Sequence, residues 1–133
     1  MNKIIITGAS GFIGSNIVKK FFKNNEIHVI TRSNSNTWRL NEIKSEIHFS
    51  TINFENKSKL KNIINKIKPD YAFHLATYGG YPFQQNIEKS IESNIIFSKN
   101  FMHVLSEYGK LEKFINFGSS SEYGPKKKTY EGN

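Results

Sequence analysis

The stretch Thr7-Gly8-Ala9-Ser10-Gly11-Phe12-Ile13-Gly14 decides the fold, and only six residues precede it. Before it runs Lys3-Ile4-Ile5-Ile6, a short β-branched segment of the kind that forms a fully buried strand. After it comes Ser15-Asn16-Ile17-Val18-Lys19-Lys20-Phe21-Phe22, whose apolar positions recur at helical spacing. Strand, glycine turn, helix is the order in which a glycine motif carries meaning. Gly8 supplies the positive φ of a tight turn. Gly11 lets the backbone approach a pyrophosphate, and Gly14 lets the helix lie near the strand. The N–H groups and dipole at the helix start then favour a phosphate.

The glycines are spaced Gly-x-x-Gly-x-x-Gly, not the Gly-x-Gly-x-x-Gly of the usual dinucleotide fingerprint. That spacing, set in Thr-Gly-Ala-Ser-Gly-Phe-Ile-Gly, resembles the extended short-chain dehydrogenase/reductase family. The family's sugar-nucleotide epimerases, dehydratases and reductases begin this way. The resemblance implies a Rossmann-like, doubly wound α/β fold with a parallel sheet of order 3-2-1-4-5. It also implies an NAD(P) cofactor bound by Gly8, Ser10, Gly11, Phe12, Ile13 and Gly14, and a nucleotide-sugar substrate.

At 133 residues the chain fits one domain with a real core, and its 37% hydrophobic content is far above the disordered range. Without cysteine, disulfides and thiolate metal sites are excluded, and a reducing cytoplasm is the expected compartment. The opening apolar run breaks at Thr7-Gly8 with no cleavage pattern after it, so a signal peptide is rejected. No stretch is long and apolar enough to span a bilayer. The net charge of +8 comes from scattered lysines, apart from Lys126-Lys127-Lys128, with no basic helix interleaved with aromatics. A solvated surface is expected, and no nucleic-acid partner.

Glu26-Ile27-His28-Val29-Ile30-Thr31 reads as the second strand, ending about 20 residues past the glycine turn, where a dinucleotide fold selects its cofactor. A carboxylate there holds the ribose hydroxyls of NAD; this chain has Thr31-Arg32-Ser33-Asn34 instead. Arg32 is a permanent cation whose fork suits phosphate oxygens, and Ser33 adds a hydroxyl donor. NADP is therefore expected over NAD. Ser35 to Ser45 is polar around Trp38 and carries no clear pattern, and Ile47-His48-Phe49 is a weak third strand. Leu60, Ile63, Ile64 and Ile67 share one face of a helix from Ser58 to Lys68, stopped by Pro69. In the family an aspartate commonly precedes this helix and bonds the adenine amine; Asn53 stands there.

Tyr71-Ala72-Phe73-His74-Leu75-Ala76-Thr77 resembles the family's fourth strand and its His-Leu-Ala-Ala ending, which places Leu75, Ala76 and Thr77 along the cofactor groove. His74 sits within a buried-looking strand, so it reads as a satisfied core histidine, and the four histidines show no metal spacing. Tyr78-Gly79-Gly80-Tyr81-Pro82-Phe83 is a loop at the ligand-binding edge of the sheet. Tyr78 and Tyr81 are candidates for substrate contact or for packing of the loop on itself. A long amphipathic helix follows from about Ile87 to Tyr108, ended by Gly109. Within it Asn94 matches an asparagine that family members use near the cofactor.

Lys113-Phe114-Ile115-Asn116-Phe117 is the fifth strand, followed by Gly118-Ser119-Ser120-Ser121-Glu122-Tyr123-Gly124. This resembles the family's Ser-Ser-x-x-Val-Tyr-Gly, whose second serine is catalytic. Counting back from Tyr123 assigns the role to Ser119, with Ser120 as the alternative register. The family also needs Tyr-x-x-x-Lys on one helix, where the lysine lowers the tyrosine pKa and the tyrosine transfers a proton. Tyr123-Gly124-Pro125-Lys126-Lys127 matches the spacing, but glycine and proline inside it oppose that helix. The expectation is a cofactor-binding portion, residues 1–133, that ends before the catalytic helix and substrate lobe. On that reading an apolar sheet edge is left open and a homo-oligomer is expected. A short NAD(P)-binding or sensing protein without chemistry is the alternative. The same residues leave epimerisation, dehydration and reduction equally open.

Overall fold

A computed structural model describes residues 1–53, 55–119 and 123–124. Among these residues the elements alternate from β1 (Asn2–Thr7) and α1 (Phe12–Phe21) to β2 (Asn25–Thr31). Short 3₁₀ turns (Trp38–Glu46), β3 (His48–Thr51), α2 (Lys57–Ile67) and β4 (Tyr71–His74) come next. Then follow α3 (Ile87–Ile91), a π-helical segment (Glu92–Phe97), α4 (Ser98–Tyr108) and β5 (Lys113–Asn116). The strands form one sheet in the order β3-β2-β1-β4-β5, with every neighbouring pair parallel. The Rossmann-like reading and its 3-2-1-4-5 order are thereby borne out.

Because β1 and β2 are covered on both faces, their side chains are apolar on both. Ile5 and Ile30 point to one side and pack with Leu60 and Ile64 of α2 and with Phe101, Val104 and Leu105 of α4. Ile4, Ile6, Ile27 and Val29 point to the other, against Val18 of α1 and Leu40 and Ile43 of the 3₁₀ turns. The alternation along β1 thus divides the core into two layers around the sheet.

Several boundaries differ from the sequence reading. Helix α1 starts at Phe12, three residues earlier than the apolar spacing indicates, because Gly14 belongs to its first turn. The expected Ile87–Tyr108 helix is interrupted by the wide turn at Glu92–Phe97. At the end of α2, Lys68 is left-handed (φ 54) and its N–H still bonds the Ile64 carbonyl. Pro69 disfavours the α conformation in the residue before it, which explains the stop there.

Two glycines position the turn. Gly8 has φ +72, and a Cβ on it would lie 2.6 Å from the Ala76 nitrogen and closer still to the Leu75 carbonyl. A Cβ on Gly14 would strike the Gly8 carbonyl and come 2.8 Å from the Ala9 Cα. All these obstacles are backbone atoms, which cannot swing aside as a side chain does. Gly8→Ala is therefore expected to cost about 3 kcal/mol or more, from strained φ and overpacking together. Gly80, with nothing within 4 Å of its Cβ position, should accept alanine within about 0.5 kcal/mol. Urea unfolding of the two variants checks the contrast.

Candidate cofactor site

The C-terminal ends of β1, β2, β4 and β5 share one edge of the sheet, where open α/β folds bind ligands. At its centre the Gly8 carbonyl accepts from Gly11 N at 3.1 Å, closing the turn, and Gly11 serves as N-cap of α1. A glycine cap brings no side chain to the first N–H groups of the helix. Phe12 and Ile13, in that first turn, are 71% and 56% exposed, so the helix start faces solvent. The ledge on the other side of the turn is Leu75 and Ala76, which Gly8 touches. The structure therefore brings together Gly8, Gly11, Phe12, Ile13, Gly14, Leu75 and Ala76 at this edge of the sheet.

Thr7 and His74 lock β1 to β4 immediately below this turn. Thr7 Oγ1 lies 2.7 Å from His74 Nδ1 and also accepts from the N–H groups of Leu75 and Ala76, each at 3.3 Å. With its lone pairs so occupied, the threonine hydroxyl donates to Nδ1, and His74 carries its proton on Nε2. That proton is donated to Ser98 Oγ at 2.8 Å. His74 is buried, with Phe97, Phe101 and Phe114 around its ring. Burial pushes its pKa down to about 4. A neutral, doubly bonded histidine in an aromatic cage is a core residue, as the sequence reading held.

Toward β3 the edge opens into a cavity of about 390 Å³ lined by Arg32, Ser33, Asn34, Thr51, Ile52, Asn53, Lys59 and Glu92. Arg32, Ser33 and Asn53 are thus united. The turn that presents Arg32 is held by its N–H donating to Ser35 Oγ at 3.0 Å and by Ser35 N donating to its carbonyl at 3.1 Å. Asn53 accepts from Glu55 N through Oδ1 at 3.3 Å. Arg32 and Lys59 are the cations of this lining and Glu92 is its acid. The lining combines guanidinium, ammonium, hydroxyl and amide groups with the Glu92 carboxylate, a set of donors suited to the adenosine end of a dinucleotide.

Toward β5 the site is organised by Asn94, inside the π-helical segment. Its Nδ2 donates to the Tyr78 carbonyl at 2.7 Å, and its Oδ1 accepts from Tyr78 N at 2.8 Å and from Thr77 Oγ1 at 3.3 Å. Asn94 therefore fixes the loop carrying Thr77 and Tyr78. Tyr81 stacks on Phe83 at 5.3 Å and stays exposed. The loop is closed by Gln84 Oε1, which accepts from Gly79 N and Tyr81 N. Ser119 is exposed beyond β5, while Ser120 and Lys127 lie outside the described residues. Gly124 has φ +64, and residues 125–127, which complete the Tyr-x-x-x-Lys spacing, lie outside the described residues.

Sequence reasoning missed Arg39 and Ser98. Arg39 Nη1 donates to the Ser10 carbonyl at 3.4 Å, and its guanidinium lies 4.5 Å from the Trp38 ring centre, placing a second cation beside the glycine turn. The segment around Arg39 has no apolar period, so nothing in sequence marked it. Lys59, to which the sequence reading gave no role, lies in the first turn of α2, and the cap residue Asn56 accepts from its N–H at 2.8 Å.

Residues 4–133 match the model of the NAD dependent epimerase/dehydratase family, and the chain belongs to that family. It is 35% identical over 133 residues to dTDP-D-glucose 4,6-dehydratase of Dictyostelium discoideum, covering 93% of this chain and 30% of that protein. It is 27% identical to the solved UDP-glucose 4-epimerase of Thermotoga maritima with UDP-glucose, with a TM-score of 0.74 over 86% of this chain and 37% of that one. The Bordetella bronchiseptica enzyme WbmH, solved with NAD+, shares the fold at a TM-score of 0.80 and 20% identity, over 93% and 41% of the two chains. The chain thus spans 30% to 41% of the length of these relatives. Among the described residues no helix is long and apolar enough to cross a membrane.

The burial of His74 sets a pH dependence. Its folded pKa of about 4 lies below the ordinary 6.5, so below pH 6.5 the unfolded chain binds a proton that the folded chain refuses. Stability from this group is complete above pH 6.5 and is lost progressively as pH falls toward 4, by about 2–3 kcal/mol. Ring NMR signals of His74 should show no protonation above about pH 5; titration near 6.5 would contradict the buried, bonded state.

Proposed function

We propose that this chain is the NAD(P)-binding portion of a sugar-nucleotide epimerase or dehydratase. The observation that carries the reading is the glycine turn pressed against Leu75 and Ala76, with the exposed start of α1 beside it. In this arrangement the helix N-terminus and Ser10–Gly14 hold the pyrophosphate, and Arg39 adds positive charge beside Ser10. Arg32, Ser33 and Asn53 receive the adenosine end, while Leu75, Ala76 and Thr77 line the path toward the reacting half. When bound, the nicotinamide supplies hydride transfer to and from the sugar ring.

Ser119, at the end of β5, donates a hydrogen bond to a substrate oxygen, and the loop carrying Tyr78 and Tyr81 borders the same space. The pairing of Tyr123 with Lys127 is not used, because Gly124 is left-handed and the two side chains need a helix to align. UDP-glucose bound by the Thermotoga relative and dTDP-D-glucose in the name of the Dictyostelium relative support a nucleoside-diphosphate sugar as substrate. A homo-oligomer in the cytoplasm completes the reading.

NADP is preferred over NAD, because Arg32 and Ser33 stand where a carboxylate selects NAD. A hydrogen bond to a charged group is worth roughly 1.5–3 kcal/mol, so Arg32→Ala should weaken NADP binding about tenfold or more. Binding of NAD should change little. Calorimetric titration of both dinucleotides into the chain and its variant measures this. No saturable binding of either dinucleotide defeats the cofactor-binding reading itself. Binding of both with equal loss in the variant retains that reading but removes Arg32 as the selector.

A further inference from the structure

Glu26, His28 and His48 meet toward the end of the sheet opposite the glycine turn. Glu26 and His28 are two apart on β2, so their side chains leave the same face. His48 opens β3 and is the register partner of His28, which puts it on that face as well. His28 Nε2 donates to Glu26 Oε1 at 2.7 Å, and the His28 and His48 rings stack with centroids 4.8 Å apart at 21°. One ligating atom from each of the three residues lies within 4.8 Å of the others. Glu26 and His28 are half-buried while His48 is exposed, so the cluster has a protein floor and one side open to water.

We propose that Glu26, His28 and His48 form a three-ligand site for a divalent first-row transition metal of the zinc class. Two imidazole nitrogens and one carboxylate oxygen suit zinc or nickel better than magnesium or calcium, which prefer all-oxygen shells. Ligands at the usual 2.0–2.1 Å from zinc stand roughly 3.4 Å from one another in a tetrahedron. Glu26 and His28 are already inside that separation, so closure falls to the His48 ring, the exposed member. The ion takes the place of the proton that His28 Nε2 now donates to Glu26, and that proton moves to Nδ1, so that His28 coordinates as a neutral imidazole. Lys3, the register partner of Glu26 on β1, is the neighbouring cation that competes for the carboxylate. Coordination joins β2 to β3, a four-residue edge strand, and leaves the fourth position to water. The site is independent of the dinucleotide reading, since it draws on the other end of the strands.

The test is calorimetric titration of the chelator-treated chain with zinc and nickel chlorides, with the histidine ring NMR signals followed in parallel. One ion should bind, an excess of magnesium should not displace it, and the His28 and His48 signals should shift together. His28→Gln and His48→Gln should each weaken binding about tenfold or more. His103→Gln, which breaks the separate His103–Glu107 pair (3.5 Å) on α4, should leave it unchanged. Zinc should raise the Tm of the parent chain and not of the double variant His28→Gln/His48→Gln. His48 is exposed, so His48→Gln is expected to keep the parental circular dichroism and remains informative if His28→Gln does not fold. Absence of saturable binding at millimolar metal, or binding that survives His48→Gln or disappears with His103→Gln, overturns the proposal.

Discussion

The structure depends on a backbone contact that leaves no room for a side chain. Where β1 turns into α1, Gly8 lies against the Leu75–Ala76 peptide and Gly14 lies against Gly8. The spacing of β1 from β4 and the approach of α1 to the sheet are both set there. Thr7 and His74 reinforce the junction from below, each polar atom engaged by a partner. A buried threonine–histidine pair is tolerable only because every donor and acceptor is satisfied. The aromatic cage around His74 then ties this junction to the π-helical segment through Phe97 and to α4 through Phe101.

From that junction the candidate site extends in two directions of different chemistry. Toward β3 the edge is cationic and roomy, with Arg32 and Lys59 around the cavity and Arg39 next to the glycine turn. Toward β5 it is built of amide and aromatic groups, with Asn94 gripping the Tyr78 backbone on both its donor and its acceptor side. The π-helical segment matters for this second half. Its wider turn falls where Asn94 reaches back to the loop, and such segments within α-helices recur at functional sites.

The ends of the strands thus separate two kinds of polar chemistry across a common apolar core. At the C-terminal edge, main-chain N–H groups and cations gather where the strands stop and the helix begins. Nearer the N-terminal end of β2, Glu26 and His28 emerge on the face that carries Ile30, and β3 supplies His48 by register. Strand periodicity alone places Glu26 with His28. Pairing with a particular neighbour adds His48, which is twenty residues further along the chain.

The glycine spacing, the β-branched runs and the helical faces were enough to determine the parallel sheet, its order by resemblance, and the turn that faces a ligand. These are local properties, set by which backbone angles and which faces each residue type accepts, and they survive being read one segment at a time. Arg32 and Ser33 were legible as positions counted from that turn, and Asn53 by resemblance, from its place before the helix that carries Leu60. The contact of Arg39 with Ser10, the capture of His74 by Thr7 and Ser98, and the grip of Asn94 on Tyr78 were decided only by tertiary structure. Each joins residues at least 16 positions apart, and nothing in either partner's neighbourhood specifies the other. Packing of the helices against the sheet chose those partners, because a polar group excluded from water must bond with whatever the fold brings within reach.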